Sequence, residues 1–134
     1  MASVGIIGLG AYVPPNEMSN EDWMKLVETS DEWITTKTGM KKRRIASSEV
    51  CTSDLAVEAC KQALDDAELK AEDIDLIILA TSSPDVPLSS TAGIIQHKLG
   101  CTDCAALSAL ILASSIVLAF ATATPIRRSF VEVG

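Results

Sequence analysis

Runs of apolar residues alternate along the chain in the order expected of an α/β protein. A short apolar run over residues 4–9, bounded by glycine and proline, predicts a strand followed by a turn. Apolar residues at helical spacing predict a helix over residues 53–69. A continuous apolar run over residues 76–80 has the length of a buried strand, and a helical pattern follows over residues 90–99. This order predicts an α/β layered fold with right-handed crossovers.

Two short helical patterns lie between the first strand and the long helix. Asn20 is predicted to cap the first, and Ser30 the second, which ends before Gly39. Residues 41–44, Lys-Lys-Arg-Arg, follow shortly after and form the only dense basic run in the sequence. Such a run is either a solvated turn or an anion site, and composition alone favours the turn.

The segment over residues 105–124 carries no charged residue and is long enough to cross a membrane as a helix. Seven of its residues are alanine and five are serine or threonine, so it is less apolar than a span rich in leucine and isoleucine. This composition favours a strand followed by a helix buried in a layered protein. Arg127 and Arg128 would suit the cytoplasmic flank of the alternative, a marginal membrane span.

Composition narrows the classes of protein further. A chain of 134 residues predicts one domain, and its net charge of −7 argues against a nucleic-acid-binding protein. No positive charge precedes the apolar residues of the N-terminus, so a cytoplasmic protein without a secretory signal is expected. The four cysteines are then expected to be free thiols. Cys101, Cys104 and the single histidine, His97, are too few for a structural zinc site, so no metal is predicted.

Three neighbouring motifs resemble those of the β-ketoacyl-acyl carrier protein synthase III family. They are Thr-Ser-Asp-Glu-Trp-Ile over residues 29–34, Thr-Gly-Met over 38–40 and Arg-Arg-Ile-Ala over 43–46. Further similar pieces follow in order at residues 73–81, 84–85 and 96–100. The resemblance covers roughly residues 4–106 and leaves a divergent tail over 107–134.

The resemblance implies a thiolase-like α/β fold, in which two similar halves each contain a mixed sheet layered with helices. Residues 1–134 are then expected to form a single N-terminal half-domain, truncated before the second half. Family members condense an acetyl primer from coenzyme A with malonyl-acyl carrier protein to start fatty-acid synthesis. The implied partners are acetyl-coenzyme A and acyl carrier protein, and the family forms dimers. Coenzyme A enters as a thioester substrate, and no cofactor is implied.

The resemblance also assigns residues to the substrate. Trp33 matches the family tryptophan that stacks on the adenine of coenzyme A, and Thr29 matches a neighbour at the same nucleotide. Lys37 replaces the usual arginine, and this change is expected to weaken a two-point phosphate contact to a point charge. Arg43 and Arg44 follow this helix, where positive charge can attract coenzyme phosphates or an acidic carrier protein.

Two further positions depart from the family. Leu88 falls where the family often has a phenylalanine that reaches into the partner subunit's acyl pocket. Ungapped counting places the nucleophilic cysteine of the family on Ala113, whose methyl group cannot attack a thioester. The histidine and asparagine of the second half have no counterpart in this chain. The chain alone is therefore expected to be inactive, and the alternatives are a remnant that binds coenzyme A or carrier protein and a small membrane-anchored protein.

Overall fold

The computed structural model describes residues 5–87, 89–110, 116–123 and 127–133. The chain divides into two compact units, a small unit (Val13–Val50) and a sheet unit (Met1–Tyr12 with Cys51–Gly134). In chain order the described elements are β1 (Gly5–Gly10), β2 (Glu17–Ser19), α1 (Asn20–Met24), α2 (Asp31–Thr38), β3 (Lys42–Arg44), α3 (Thr52–Asp66), a 3-10 turn (Ala71–Asp73), β4 (Leu76–Thr81), α4 (Thr91–Leu99), β5 (Ala105–Leu110), β6 (Ile116–Ala123) and β7 (Arg127–Val133). The prediction of one half-domain over residues 1–134 stays a prediction.

The sheet unit contains a five-stranded sheet in the order β1-β7-β6-β4-β5. β4 pairs with β5 in parallel and with β6 in antiparallel orientation, so the sheet is mixed. β1 joins the other edge by parallel pairing with β7. The helices α3 and α4 pack against this sheet. The predicted mixed sheet layered with helices is therefore present.

The core of the sheet unit lies where α3, α4 and β4 meet. Its buried apolar residues are Ala56, Val57, Ala59, Cys60, Ala63, Leu64, Ile74, Ile77, Leu79, Ala92, Ile95, Cys101 and Cys104. α3 contributes mainly small residues, which lets β1 approach its backbone closely. A Cβ atom placed on Gly8 would lie 2.7 Å from the Cβ of Ala67, and one on Gly10 would lie 2.5 Å from the backbone nitrogen of Ala63. These glycines allow helix and strand to pack together.

The uncharged segment over residues 105–124 differs in part from the prediction. Its first part forms β5 as expected, but the helix predicted after it is wrong, because residues 116–123 form the strand β6. β-Branched and aromatic residues such as Ile116, Val117 and Phe120 favour strands. Pairing with β4 on one side and β7 on the other then satisfies the backbone of β6. Within the described residues, no helix has the length and hydrophobicity needed to span a membrane.

The small unit contains the two-stranded antiparallel sheet β2-β3 and the helices α1 and α2. Ser30 caps α2 as predicted, and Gly39 ends the helix in the left-handed conformation with a φ of 72°. The prediction that Asn20 caps α1 is wrong. Ser19 is the N-cap, because its hydroxyl accepts the backbone N–H of Asp22, and Asn20 is the first residue of the helix. Three of the four residues of the basic run form the strand β3 (Lys42–Arg44), so the turn favoured by composition is not present there.

Candidate functional site

Trp33 lies in the first turn of α2, where the N-cap fixes its backbone. The hydroxyl of Ser30 accepts the backbone N–H of Trp33 at 3.1 Å. Ile34, the next residue, is buried with 6% exposure, so the side of α2 that carries Ile34 packs inward. Trp33 points away from that side, and its side chain is 59% exposed. An exposed large aromatic residue is a candidate for binding a ligand.

Two open cavities of the small unit meet at Trp33. The first has a volume of about 520 Å³ and is lined by Trp23, Val27, Glu28, Thr29, Ser30 and Trp33. The second has a volume of about 330 Å³ and is lined by Ser30, Glu32, Trp33, Thr36 and Lys37. Both volumes are in the range of small-molecule sites. Thr29, Trp33 and Lys37, which the family resemblance assigns to one nucleotide, thus border one pair of adjoining cavities. Their role in binding stays a prediction.

Lys37 supplies positive charge to the second cavity. It lies in the last turn of α2, where a cation is favoured by the helix dipole. Within the described part of the chain its ammonium group has no hydrogen-bond or ion-pair partner. Lys37 is therefore available to bind an anionic group of a ligand.

The other predicted cations of the small unit are largely paired within it. Glu17, opposite Arg44 in the β2-β3 register, accepts a hydrogen bond from Lys42 Nζ at 2.9 Å and forms an ion pair with Arg44 Nη2 at 2.8 Å. The hydrogen bond from Lys42, followed by the charges of Lys42 and Arg44, lowers the pKa of Glu17. The Arg43 guanidinium bonds Asn20 Oδ1 at 2.6 Å. Since solvent-exposed pairs are weak, Arg44 can still exchange Glu17 for a ligand, and its binding role stays a prediction.

Trp23 was not among the residues selected from the sequence, yet it lines the first cavity together with Trp33. The sequence pattern places Trp23 on a short helix as one of several apolar residues. The signal that could have identified it is composition, because the chain has only two tryptophans and they lie ten positions apart. Only the packing of α1 against α2 brings both indoles to one cavity.

The cysteines differ in their environment, which bears on thioester chemistry. Cys60, Cys101 and Cys104 are buried, whereas Cys51 is exposed at the N-cap of α3. Burial raises the pKa of Cys60 and of Cys101 to about 12, and it raises the pKa of Cys104 as well. These three thiols are therefore protonated near neutral pH and are poor nucleophiles. Leu88 and Ala113 lie outside the described residues.

Metal-binding side chains are not grouped in the described part of the chain. No set of three or more histidine, cysteine, aspartate or glutamate side chains there is arranged to hold a metal ion. His97 lies exposed in the last turn of α4, within the sheet unit.

No protein-family model matches the chain. Individual proteins do. The chain is 48% identical over 132 residues to a β-ketoacyl-[acyl-carrier-protein] synthase III of Caldanaerobacter subterraneus, covering 98% of this chain and 39% of the relative. It is 50% identical over 119 residues to the Neisseria gonorrhoeae protein of the same name, covering 88% of this chain and 37% of the relative. The chain thus spans about two fifths of the length of the curated relatives it matches.

Solved structures agree with these relatives. The 3-oxoacyl-[acyl-carrier-protein] synthase III from Aquifex aeolicus superposes with a TM-score of 0.73 at 46% identity, over 79% of this chain and 34% of that one. The priming β-ketosynthase of the R1128 polyketide pathway superposes with a TM-score of 0.74 at 29% identity, over 79% of this chain and 32% of that one. The chain therefore has the thiolase-like α/β fold predicted from its sequence. The chain is homologous to a part of each of these β-ketoacyl-acyl carrier protein synthases III, and this confirms the resemblance found in the sequence.

Proposed function

We propose that the chain supplies the coenzyme A-binding side of a β-ketoacyl-acyl carrier protein synthase III. The proposed reaction joins an acyl primer, typically acetyl from coenzyme A, to malonyl-acyl carrier protein at the start of fatty-acid synthesis in the cytoplasm. The identity of 42–53% to proteins of that name supports the reaction class. The observation that carries the binding role is the exposed indole of Trp33 between two open cavities, one of which is lined by Lys37, a cation with no ion-pair partner among the described residues.

The two cavities suit the two chemical parts of a nucleotide. A nucleobase is flat and aromatic, and it stacks favourably on an exposed indole. The first cavity offers that surface next to Thr29, whose hydroxyl can donate or accept a hydrogen bond. A phosphate needs a cation, and Lys37 borders the second cavity on the other side of Ser30 and Trp33. A nucleotide bearing phosphates, such as coenzyme A, combines both requirements.

Replacing Trp33 with alanine is expected to weaken coenzyme A binding about tenfold, because stacking of a base on an aromatic side chain contributes roughly 1–3 kcal/mol. Isothermal titration calorimetry of the chain with coenzyme A measures this. Leu26→Ala is the control, since Leu26 is 65% exposed in the same unit but lines neither cavity. Equal affinity of the wild type and the Trp33→Ala variant would contradict the proposal.

Lys37→Met is expected to weaken coenzyme A binding and to flatten the salt dependence of that binding, whereas Lys37→Arg should strengthen binding.

The chain alone is expected to form no covalent acyl-enzyme. By resemblance Ala113 occupies the position of the nucleophile, and the pKa values of the buried Cys60, Cys101 and Cys104 are raised. Incubation with acetyl-coenzyme A followed by intact mass spectrometry tests this. Cys51→Ser is the matched control, because Cys51 is the exposed cysteine and can be acetylated without an active site. An acetyl group that remains on the Cys51→Ser variant and is released by hydroxylamine would overturn the expectation. Binding without acylation would identify the chain as a coenzyme A-binding homologue.

A further inference from the structure

Trp23 and Arg43 form an arrangement that the proposed function does not yet use. We infer that Trp23 is a second aromatic contact for the nucleobase, and that Arg43 is a positioning residue that holds the Trp23 indole at the cavity. This inference rests on the proposed coenzyme A site. It assigns Arg43 a role other than the contact with coenzyme A phosphates or with an acidic carrier protein that the resemblance implies.

The first step is the position of Trp23. Its half-buried indole lines the cavity of about 520 Å³ that Trp33 also lines. α1, which carries Trp23, spans only Asn20–Met24 and is too short to be stable by itself. The orientation of this indole must therefore come from contacts outside α1.

Arg43 provides such a contact from β3. The centre of its guanidinium lies 5.0 Å from the centroid of the Trp23 ring, within the range of a cation–π interaction. Its Nη2 donates to Asn20 Oδ1 at 2.6 Å, whereas Nη1 is buried and has no hydrogen-bond partner in the described part of the chain. Arg43 does not line either cavity. Its charge is thus directed at the indole and at Asn20.

Asn20 connects this contact to the helix that carries Trp33. Its side chain is 3% exposed, and its Nδ2 donates to Asp31 Oδ1 at 2.6 Å and to the Met40 carbonyl at 2.9 Å. Asp31 is the first residue of α2, and Met40 follows the end of that helix. A continuous chain of contacts therefore runs from the Trp23 indole through Arg43 and Asn20 to both ends of α2. These contacts connect the Trp23 indole to α2 and thereby hold it in position relative to the Trp33 indole.

Two indoles in one cavity, with Lys37 in the adjoining one, fit a phosphorylated purine nucleoside. Adenosine 3′,5′-bisphosphate carries these groups without the pantetheine arm of coenzyme A. It is therefore the probe that isolates the base and phosphate contacts. Binding is measured by calorimetry at two salt concentrations, with Leu26→Ala as the control variant.

Trp23→Leu is expected to weaken binding of this probe about tenfold. Arg43→Met is expected to weaken it severalfold while leaving the salt dependence as in the wild type, and Arg43→Lys is expected to restore most of the affinity by keeping a cation over the ring. In a Trp33→Phe background Trp23 is the remaining tryptophan. Its emission should change when the probe binds, and Arg43→Met should shift that emission in the free protein.

Three results would overturn the inference. They are unchanged affinity in Trp23→Leu, a flattened salt dependence in Arg43→Met that matches Lys37→Met, and Trp23 emission that does not respond to the probe. If Trp33→Ala still weakens coenzyme A binding in those cases, the proposed function stands and the role of Trp23 alone fails. If the wild-type chain binds neither coenzyme A nor the probe, both fail.

Discussion

Replacing Gly10 with alanine is expected to lower the free energy of unfolding by about 3 kcal/mol, the upper part of the range for an overpacked interior. The new methyl group would lie 2.5 Å from the backbone nitrogen of Ala63 and 3.0 Å from its Cβ, and closer still to the carbonyl oxygen of Ala59. Backbone atoms of α3 cannot move aside without shifting the whole helix away from β1.

Gly5 offers a matched control on the same strand. A Cβ atom at Gly5 meets nothing within 4 Å, so Gly5→Ala should change stability by less than about 0.5 kcal/mol. Urea unfolding followed by far-UV circular dichroism measures both variants, because the two tryptophans lie in the small unit and their fluorescence reports on that unit. Identical midpoints for Gly10→Ala and Gly5→Ala would show that the close approach of β1 and α3 is absent.

Replacing Leu79 with alanine is expected to cost about 3 kcal/mol through lost burial and a cavity in the core. Leu79 lies on β4, between β5 and β6, and is completely buried. Leu9→Ala is the matched control, because Leu9 is also a strand leucine but is 59% exposed on the edge strand β1. Its cost should be about 1 kcal/mol or less. The same denaturation experiment compares them, and a Leu9→Ala cost equal to that of Leu79→Ala would contradict the described core.

Elements with local signals at both ends were predictable. α4 has the Ser90 hydroxyl at its start and Gly100, with a φ of 78°, at its end. α2 has the same pair of signals in Ser30 and Gly39. These caps act through atoms within a few positions of the helix end, so the sequence window that contains them is sufficient.

Elements whose secondary structure depends on partners distant in the chain were harder to predict. β6 was predicted as a helix, because small apolar residues without charge suit either a buried helix or a buried strand. Hydrogen bonding to β4 and β7 decides between them, and neither partner is visible in the local pattern. β3 became a strand rather than a turn for the same reason, since its partner β2 lies more than twenty positions earlier.

The residues of the candidate site also fall into those with a local signal in the sequence and those that depend on distant contacts. The motifs over residues 29–46 were enough for the family resemblance, and this resemblance implied that Thr29, Trp33 and Lys37 contact one nucleotide. Trp33 and Lys37 lie on α2, and Thr29 lies directly before its cap, so these three residues are close together in the chain. The position of Trp23 in the Trp33 cavity and the contact of Arg43 with an indole became visible in the folded structure. Both depend on α1, α2 and β3 packing together around the buried Asn20, and hydrogen bonds across such distances in the chain leave no local pattern.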